Sequence, residues 1–143
     1  MRKLIAVAAM VLSTTAVAQP DKDWWACQMV HSAGMYWEKN RWVTTTFKDD
    51  PPFVLMSDGN GSLTKESVAK VFSGQTSYAD QVTCIPGRYG HSSRVHCFES
   101  SGTMMFFDSQ AGKGAVARVL GSISTDTDRR DTVSVEAFEC TKG

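Results

Sequence analysis

Serine and lysine side chains recur in this chain at a spacing used by one class of acyl-transfer enzymes. The pattern Ser-x-x-Lys occurs at Ser62 and Lys65 and again at Ser67 and Lys70. In penicillin-recognising enzymes this spacing places a lysine one helical turn from the nucleophilic serine, and a Lys-Thr-Gly element follows further along the chain. No Lys-Thr-Gly occurs here. We therefore interpret the two patterns as coincidences in a serine-rich sequence.

A second pattern, at residues 58–62, resembles the start of a calcium-binding loop. Asp58 and Asn60 supply oxygen ligands at alternate positions. The glycine required at the sixth position is replaced by Leu63, and the bidentate glutamate required at the twelfth is replaced by Ala69. The sequence therefore predicts a turn here and no metal site.

The histidines His31, His91 and His96 carry no recognisable hydrolase motif. The chain has no Gly-x-Ser-x-Gly element, which would place a serine on a nucleophile elbow. A Ser-His-Asp site is nevertheless defined by geometry and not by order in the chain. A small hydrolase with scattered catalytic residues therefore stays open as an alternative.

Tryptophans are concentrated between residues 24 and 42, where four fall within 19 residues. Trp24, Trp25, Trp37 and Trp42 are accompanied by Tyr36. Adjacent side chains in a strand point to opposite faces, so one of Trp24 and Trp25 is expected in the core and the other outside. Exposed indoles are enriched at binding surfaces. These five aromatic residues are our predicted binding residues, and aromatic filling of a leucine-poor core is the alternative.

The four cysteines predict two disulfide bonds. An even number of cysteines in an exported domain is typical of a disulfide framework, and no Cys-x-x-Cys pair indicates zinc. Cys84 and Cys97 flank a Pro-Gly turn signal and are placed to face each other across a hairpin, which leaves Cys27 for Cys140. Four cysteines allow three pairings, so this one is a preference.

The composition favours strands over helices. Residues 19–143 contain eleven valines and eleven threonines but only three leucines, and β-branched residues suit pleated sheets. Short apolar runs between turn signals predict an antiparallel β-sandwich or small β-barrel. In the last strand, apolar residues alternate with Thr132, Ser134 and Glu136. This alternation predicts that one face of the strand is exposed to water. The predicted strands are Trp24–Val30, Met35–Trp37, Trp42–Phe47, Phe53–Ser57, Gln81–Ile85, Arg94–Phe98, Thr103–Asp108, Ala115–Leu120 and Thr132–Cys140.

One segment, Lys65–Phe72, is predicted to be a short α-helix. Thr64 is a suitable N-cap and Gly74 a suitable stop. Leu63 and Val68 have the spacing of a hydrophobic staple.

The first 18 residues have the pattern of a cleaved signal peptide. Arg2 and Lys3 precede an apolar run, and Ala-Val-Ala at 16–18 is a small-residue cleavage site. Residues 19–143 then form a single domain with 13 basic and 15 acidic side chains. This balance gives no indication of a nucleic-acid partner, and no later stretch has the roughly 18 apolar residues of a membrane span.

Together these features predict an exported protein, periplasmic or secreted, of a bacterial-type cell envelope. We expect it to bind an unknown protein or small molecule without catalysis and without a cofactor. The alternatives are the small secreted hydrolase and a secreted inhibitor of a lysozyme-type hydrolase.

We predict that the exported protein begins at Gln19, because cleavage follows the Ala-Val-Ala site. Intact-mass analysis of protein recovered after export measures this directly, and retention of the complete leader would contradict the prediction.

Overall fold

Eight strands and one α-helix account for most of the residues described by the computed structural model, which are 22–48, 50–87, 93–119 and 132–143. A 3₁₀-helix, Thr76–Gln81, follows the α-helix. The strands are β1 Trp24–Glu38, β2 Arg41–Thr45, β3 Phe53–Met56, β4 Val82–Pro86, β5 Arg94–Glu99, β6 Thr103–Asp108, β7 Lys113–Arg118 and β8 Thr132–Lys142, and the helix is α1 Lys65–Ser73.

All eight strands belong to one antiparallel sheet in the order β2-β1-β8-β7-β6-β5-β4. β2 and β3 share the edge of β1 that is not paired with β8. β3 pairs with the first residues of β1, and β2 pairs with its last residues. α1 contacts both β3 and β4, which lie near opposite ends of the sheet. The sheet is therefore curled, with α1 across the gap between its ends, and the predicted mainly-β class with one short helix is confirmed.

The longest strand differs from the prediction, since β1 is continuous where we expected Trp24–Val30 and Met35–Trp37 as separate strands. The small residues from Ser32 to Gly34 interrupt the hydrophobic pattern, but they pair with β8 without a break in the ladder. A side chain at Gly34 would collide with the backbone of Val133 and the ring of Phe47. Glycine is therefore required by close packing here and does not mark a turn.

A bulge between Met29 and His31 changes which residues of β1 face the core. Before it, the odd-numbered Trp25 and Met29 are buried; after it, the even-numbered Ser32 is buried. One extra residue in a strand shifts the alternation of faces in this way.

Several other predicted ends move by one or two residues. Thr103–Asp108 is confirmed as predicted, and the helix extends one residue further to Ser73. Gln81 ends the 3₁₀-helix, which the sequence did not predict, and β2 ends at Thr45. β7 runs over Lys113–Arg118 instead of Ala115–Leu120, and Leu120 lies outside the described residues.

The helix begins and ends as its flanking residues suggest. Thr64 is the N-cap, although its hydroxyl donates to the Ser67 hydroxyl and makes no capping bond to the backbone. Gly74 ends the helix in the left-handed conformation with φ of 72°, which glycine adopts without strain. Leu63 and Val68 are both buried in the core, as the staple spacing requires.

Aromatic rings on the concave face of the sheet form the centre of the core. Trp25 packs edge-on against Phe107 with ring centroids 5.3 Å apart, and Phe53 does the same against Phe138 at 5.2 Å. Phe107 and Phe138 stack at 6.0 Å and join the two pairs. Aromatic residues thus fill much of the volume that leucine fills in other domains.

Both predicted disulfides are present. Cys27–Cys140 joins β1 to β8, and Cys84–Cys97 joins β4 to β5, each between residues directly opposite in the ladder. Structural disulfides of this kind persist in oxidising compartments. Among the described residues, no helix is both long and apolar enough to cross a membrane.

We predict that the two disulfides contribute unequally to stability. Cys27–Cys140 closes 113 residues and Cys84–Cys97 closes 13. On the chain-entropy model, replacing the first pair by alanines costs about 5 kcal/mol and replacing the second costs about 3 kcal/mol. Urea unfolding of the two double variants measures both values, and an equal or reversed order would contradict the prediction.

Candidate functional site

The adjacent indoles at the start of β1 lie on opposite faces of the sheet, as predicted. Trp25 is 5% exposed in the core, whereas Trp24 is 44% exposed on the outer face. The position of Trp25 fits the alternative in which aromatics fill the core. A binding role for Trp24 stays a prediction.

Trp37 and Trp42 form an exposed pair next to the hairpin that joins β1 and β2. They are directly opposite in the ladder, 40% and 41% exposed, with ring centroids 5.4 Å apart in an edge-to-face arrangement. The hairpin turns at Lys39 and Asn40, both with positive φ, as two-residue hairpins require. Tyr36 lies on the inner face and is half-buried.

The predicted binding residues therefore do not converge on one site. Trp24 and the Trp37–Trp42 pair lie at different ends of β1 on the outer face, while Trp25 and Tyr36 point inward. None of the five lines the large cavity formed by the described residues.

That cavity, of about 1000 Å³, lies between α1, the β2–β3 connection and the part of the concave face formed by β1, β7 and β8. Its volume is at the upper end of the range of small-molecule sites. Buried Met29, Val71 and Phe72 line its inner part, and half-buried Phe47 and Phe53 extend this apolar surface. The exposed rim carries charged and polar side chains, among them Lys48, Asp50, Glu66 and Lys70.

The inner face of β8 supplies the polar wall of the cavity. Thr132, Ser134 and Glu136 line it, while Val135 faces outward and is 51% exposed. The polar residues that predicted a water-exposed face therefore point inward, and the apolar side chain of Val135 lies on the exposed outer face. Phe138 continues the inner face into the core, so one face of β8 passes from core to cavity wall along its length.

Arg118, at the end of β7, joins four elements at the cavity wall. Its Nη1 donates to Oε1 of Glu136 on β8, and its Nη2 donates to Oδ2 of Asp50 at 2.9 Å and to the carbonyl of Val71 in α1 at 3.1 Å. Contacts with several separate acceptors suit the fixed fork of donors in a guanidinium group. Arg118 thereby holds the helix and the β2–β3 connection against the sheet.

One carboxylate oxygen of Glu136 is buried without a hydrogen-bond partner among the described residues. This oxygen is Oε2, and the side chain as a whole is 7% exposed. Directly opposite on β1, the Ser32 hydroxyl is also buried and without a partner there. Neither oxygen is accessible to solvent, and Ser32 is not among the residues that line the cavity.

The other patterns noted in the sequence have structural roles or lie apart. Asp58 Oδ1 accepts bonds from the backbone N–H groups of Asn60 and Ser62, so its carboxylate closes a turn. Ser67 Oγ accepts from the N–H of Met56 and donates to the carbonyl of Thr64, inside the first turn of α1. No group of three or more His, Cys, Asp or Glu side chains within the described ranges is arranged to hold a metal.

The two described histidines lie on the outer face. His31 follows the bulge in β1 and is exposed, and His96 packs against the ring of Phe106 at 4.7 Å. His91 lies outside the described residues.

Sequence reasoning did not identify Arg118 and Glu136 as site residues. The alternation of side chains along a strand could have located Glu136. It lies on the same face of β8 as Cys140, whose predicted disulfide partner Cys27 is a core residue. No comparable local signal marks Arg118, since its partners come from three distant segments.

Comparison with protein-family models, curated proteins and solved structures finds no match to this chain.

We predict that Arg118→Met destabilises the fold by about 3–5 kcal/mol, because it leaves the buried Glu136 carboxylate without its partner. Lys113→Met is the matched control, since Lys113 also pairs from β7 with a β8 glutamate, Glu139, but at 4.0 Å and in solvent. That variant is expected to cost less than about 1 kcal/mol. Urea unfolding measures the free energy of unfolding of both variants. Equally small losses in the two would contradict the structural role assigned to Arg118.

Proposed function

We propose that this chain is an exported, non-enzymatic binding protein of a bacterial-type cell envelope, and that it holds a small amphipathic molecule in the cavity beside α1. The observation that carries the proposal is a cavity of about 1000 Å³ whose lining combines apolar side chains with polar side chains from β8 and α1. Ligand sites are typically concave and mostly apolar, with a few convergent polar groups that fix orientation. The leader pattern at residues 1–18 and the two disulfides support export to an oxidising compartment.

The cavity is wide enough for a ligand of drug-like size, and its wall is held by specific contacts. Contacts from Arg118 tie α1 and Asp50 to the sheet, so the cavity is largely formed before a ligand enters. A preformed site loses less conformational entropy on binding. This arrangement supports binding of a discrete small molecule over adaptive contact with many partners.

A second candidate function is the binding of a protein partner through the outer face. It is supported by the exposed Trp37–Trp42 pair and by further exposed apolar side chains on the same face, including Met35, Val135 and Met104. Contiguous apolar surface on a soluble domain often marks an interaction site. Among the described residues no comparable arrangement supports the hydrolase alternative.

One experiment separates the two candidates. The neutral fluorescent probe N-phenyl-1-naphthylamine is titrated into the folded protein, where its emission rises on entering an apolar site. We predict saturable binding that is weakened about tenfold or more by Ser134→Phe, which fills the cavity from its polar wall, a loss equivalent to about 1.4 kcal/mol.

Trp37→Ala and Trp42→Ala are the matched controls on the outer face and should leave probe binding within about twofold of the parent, a change of a few tenths of a kcal/mol. Thermal unfolding checks that all variants are folded. Loss of binding in the tryptophan variants with retention in Ser134→Phe would assign binding to the outer face, and absence of saturable binding in the parent would overturn the cavity proposal.

A further inference from the structure

The outer face of the sheet carries apolar side chains across four neighbouring strands, β5 to β8. The ladders place the outward residues of these strands in rows, each made of residues directly opposite one another. One row, in the order β5 to β8, consists of Phe98, Met104, Ala117 and Val135. An antiparallel sheet with one face on its core commonly has polar side chains on the other face. An apolar outer face that extends over several strands therefore indicates an interaction surface.

The next row along the strands repeats the same distribution of side-chain size. From β5 to β8 it consists of His96, Phe106, Ala115 and Ala137. In both rows the side chains on β5 and β6 are large and those on β7 and β8 are smaller. The surface is therefore stepped, with a ridge over β5 and β6 beside a shallow trough over β7 and β8.

A third row, of alternating charge, borders the two apolar rows. From β5 to β8 it consists of Arg94, Asp108, Lys113 and Glu139. Within the chain Arg94 pairs with Asp108 at 3.3 Å, and Lys113 pairs with Glu139 at 4.0 Å. Exposed pairs of this kind contribute little to folding. Their charges are therefore accessible to the charges of a partner.

All three rows become self-complementary about one two-fold axis that runs parallel to the strands, between β6 and β7. This axis turns a second copy of the sheet to face the first, so that β6 lies over β7 of the second copy and β5 lies over its β8. Phe106 then faces Ala115 of the second copy, and Met104 faces Ala117 of the second copy. The ridge of each copy thus enters the trough of the other, as an interface between identical subunits requires.

The charged row obeys the same symmetry. Its signs from β5 to β8 are plus, minus, plus, minus, and the two-fold axis reverses this order in the second copy. Arg94 therefore faces Glu139 of the second copy, and Asp108 faces Lys113 of the second copy. The order plus, minus, minus, plus has the same composition but would place like charges opposite each other. Complementary charges at an interface select the partner and fix its register, and here the charges that complement the row are those of the row itself.

We propose that this chain forms a two-fold symmetric dimer through the outer faces of β5 to β8. Sheets that pack face to face keep their strands within about 30° of each other, which preserves the facing pairs next to the axis. The three rows supply about twelve side chains from each copy, fewer than the roughly 20–30 residues of a standard interface. The dimer is therefore expected to exchange with monomer at micromolar concentrations. The proposal is independent of the cavity, which lies on the concave side of the sheet.

Sedimentation velocity of the exported, disulfide-bonded protein at increasing concentrations measures this equilibrium. Phe106→Ala removes a ridge side chain and should weaken dimerisation about tenfold or more, as the loss of an interface hot spot does. Trp37→Ala is the matched control, because Trp37 is also an exposed aromatic residue of the outer face but lies outside the three rows. It should leave the dissociation constant within about twofold of the parent, a change well below a hot-spot effect.

Arg94→Glu and Glu139→Lys test the two-fold axis itself. In a homodimer of either variant, like charges face each other at two places in the interface, so each variant alone should be monomeric where the parent is dimeric. In an equimolar mixture of the two variants, the reversed charges face each other and the native charges face each other, so the dimer should return. Because the two substitutions are on separate molecules, contacts within one chain cannot produce this recovery. Thermal unfolding checks that every variant is folded.

Each result supports or overturns the proposal. A parent protein that stays monomeric up to millimolar concentration would overturn it and leave the outer face to a different protein. Charge variants that dimerise alone as the parent does, or a mixture that stays monomeric, would contradict the assigned axis. A larger effect of Trp37→Ala than of Phe106→Ala would place the interface elsewhere. None of these results bears on the binding of N-phenyl-1-naphthylamine in the cavity.

Discussion

The arrangement of the cavity depends on the largely buried Arg118, which contacts buried Glu136, exposed Asp50 and the carbonyl of Val71. These partners come from β8, the β2–β3 connection and α1, which are far apart in the chain. Burying a guanidinium costs free energy that is recovered only when its donors are satisfied with good geometry. The position of α1 across the gap in the sheet is thus coupled to a single side chain, and a change in that side chain alters the cavity and the fold together.

The curled sheet divides its concave surface into two regions of different character. Toward one end the rings of Trp25, Phe107 and Phe138 form a dry core closed by Cys27–Cys140. Toward the other end the same face becomes polar and lines the cavity. The bulge after Met29 belongs to this change, because it resets which residues of β1 face inward just where the wall begins. Core and cavity are therefore built by the same strands.

Local sequence signals predicted the elements well but did not identify the residues that line the cavity. Turn residues and β-branched runs located most strands, and strand parity assigned Trp24 and Trp25 to opposite faces. The hairpin signal at Pro86 favoured the Cys84–Cys97 pair and left Cys27 for Cys140, and both pairs are present. The continuous β1 was missed because Ser32 to Gly34 pack against distant residues, and the contacts of Arg118 were missed because long-range pairing leaves no local pattern in a single sequence. Prediction from composition favoured the aromatic cluster, whose members lie on both faces.

A double-mutant cycle on Arg118→Met and Glu136→Gln, measured by urea unfolding, tests the central claim most directly. If the two side chains form the buried pair that holds the cavity wall, their losses are strongly non-additive, with a coupling free energy of about 2 kcal/mol or more. The double variant should then be less destabilised than the sum of the single variants. Additivity to within about 0.5 kcal/mol would contradict the account, because it would mean that Arg118 and Glu136 act independently.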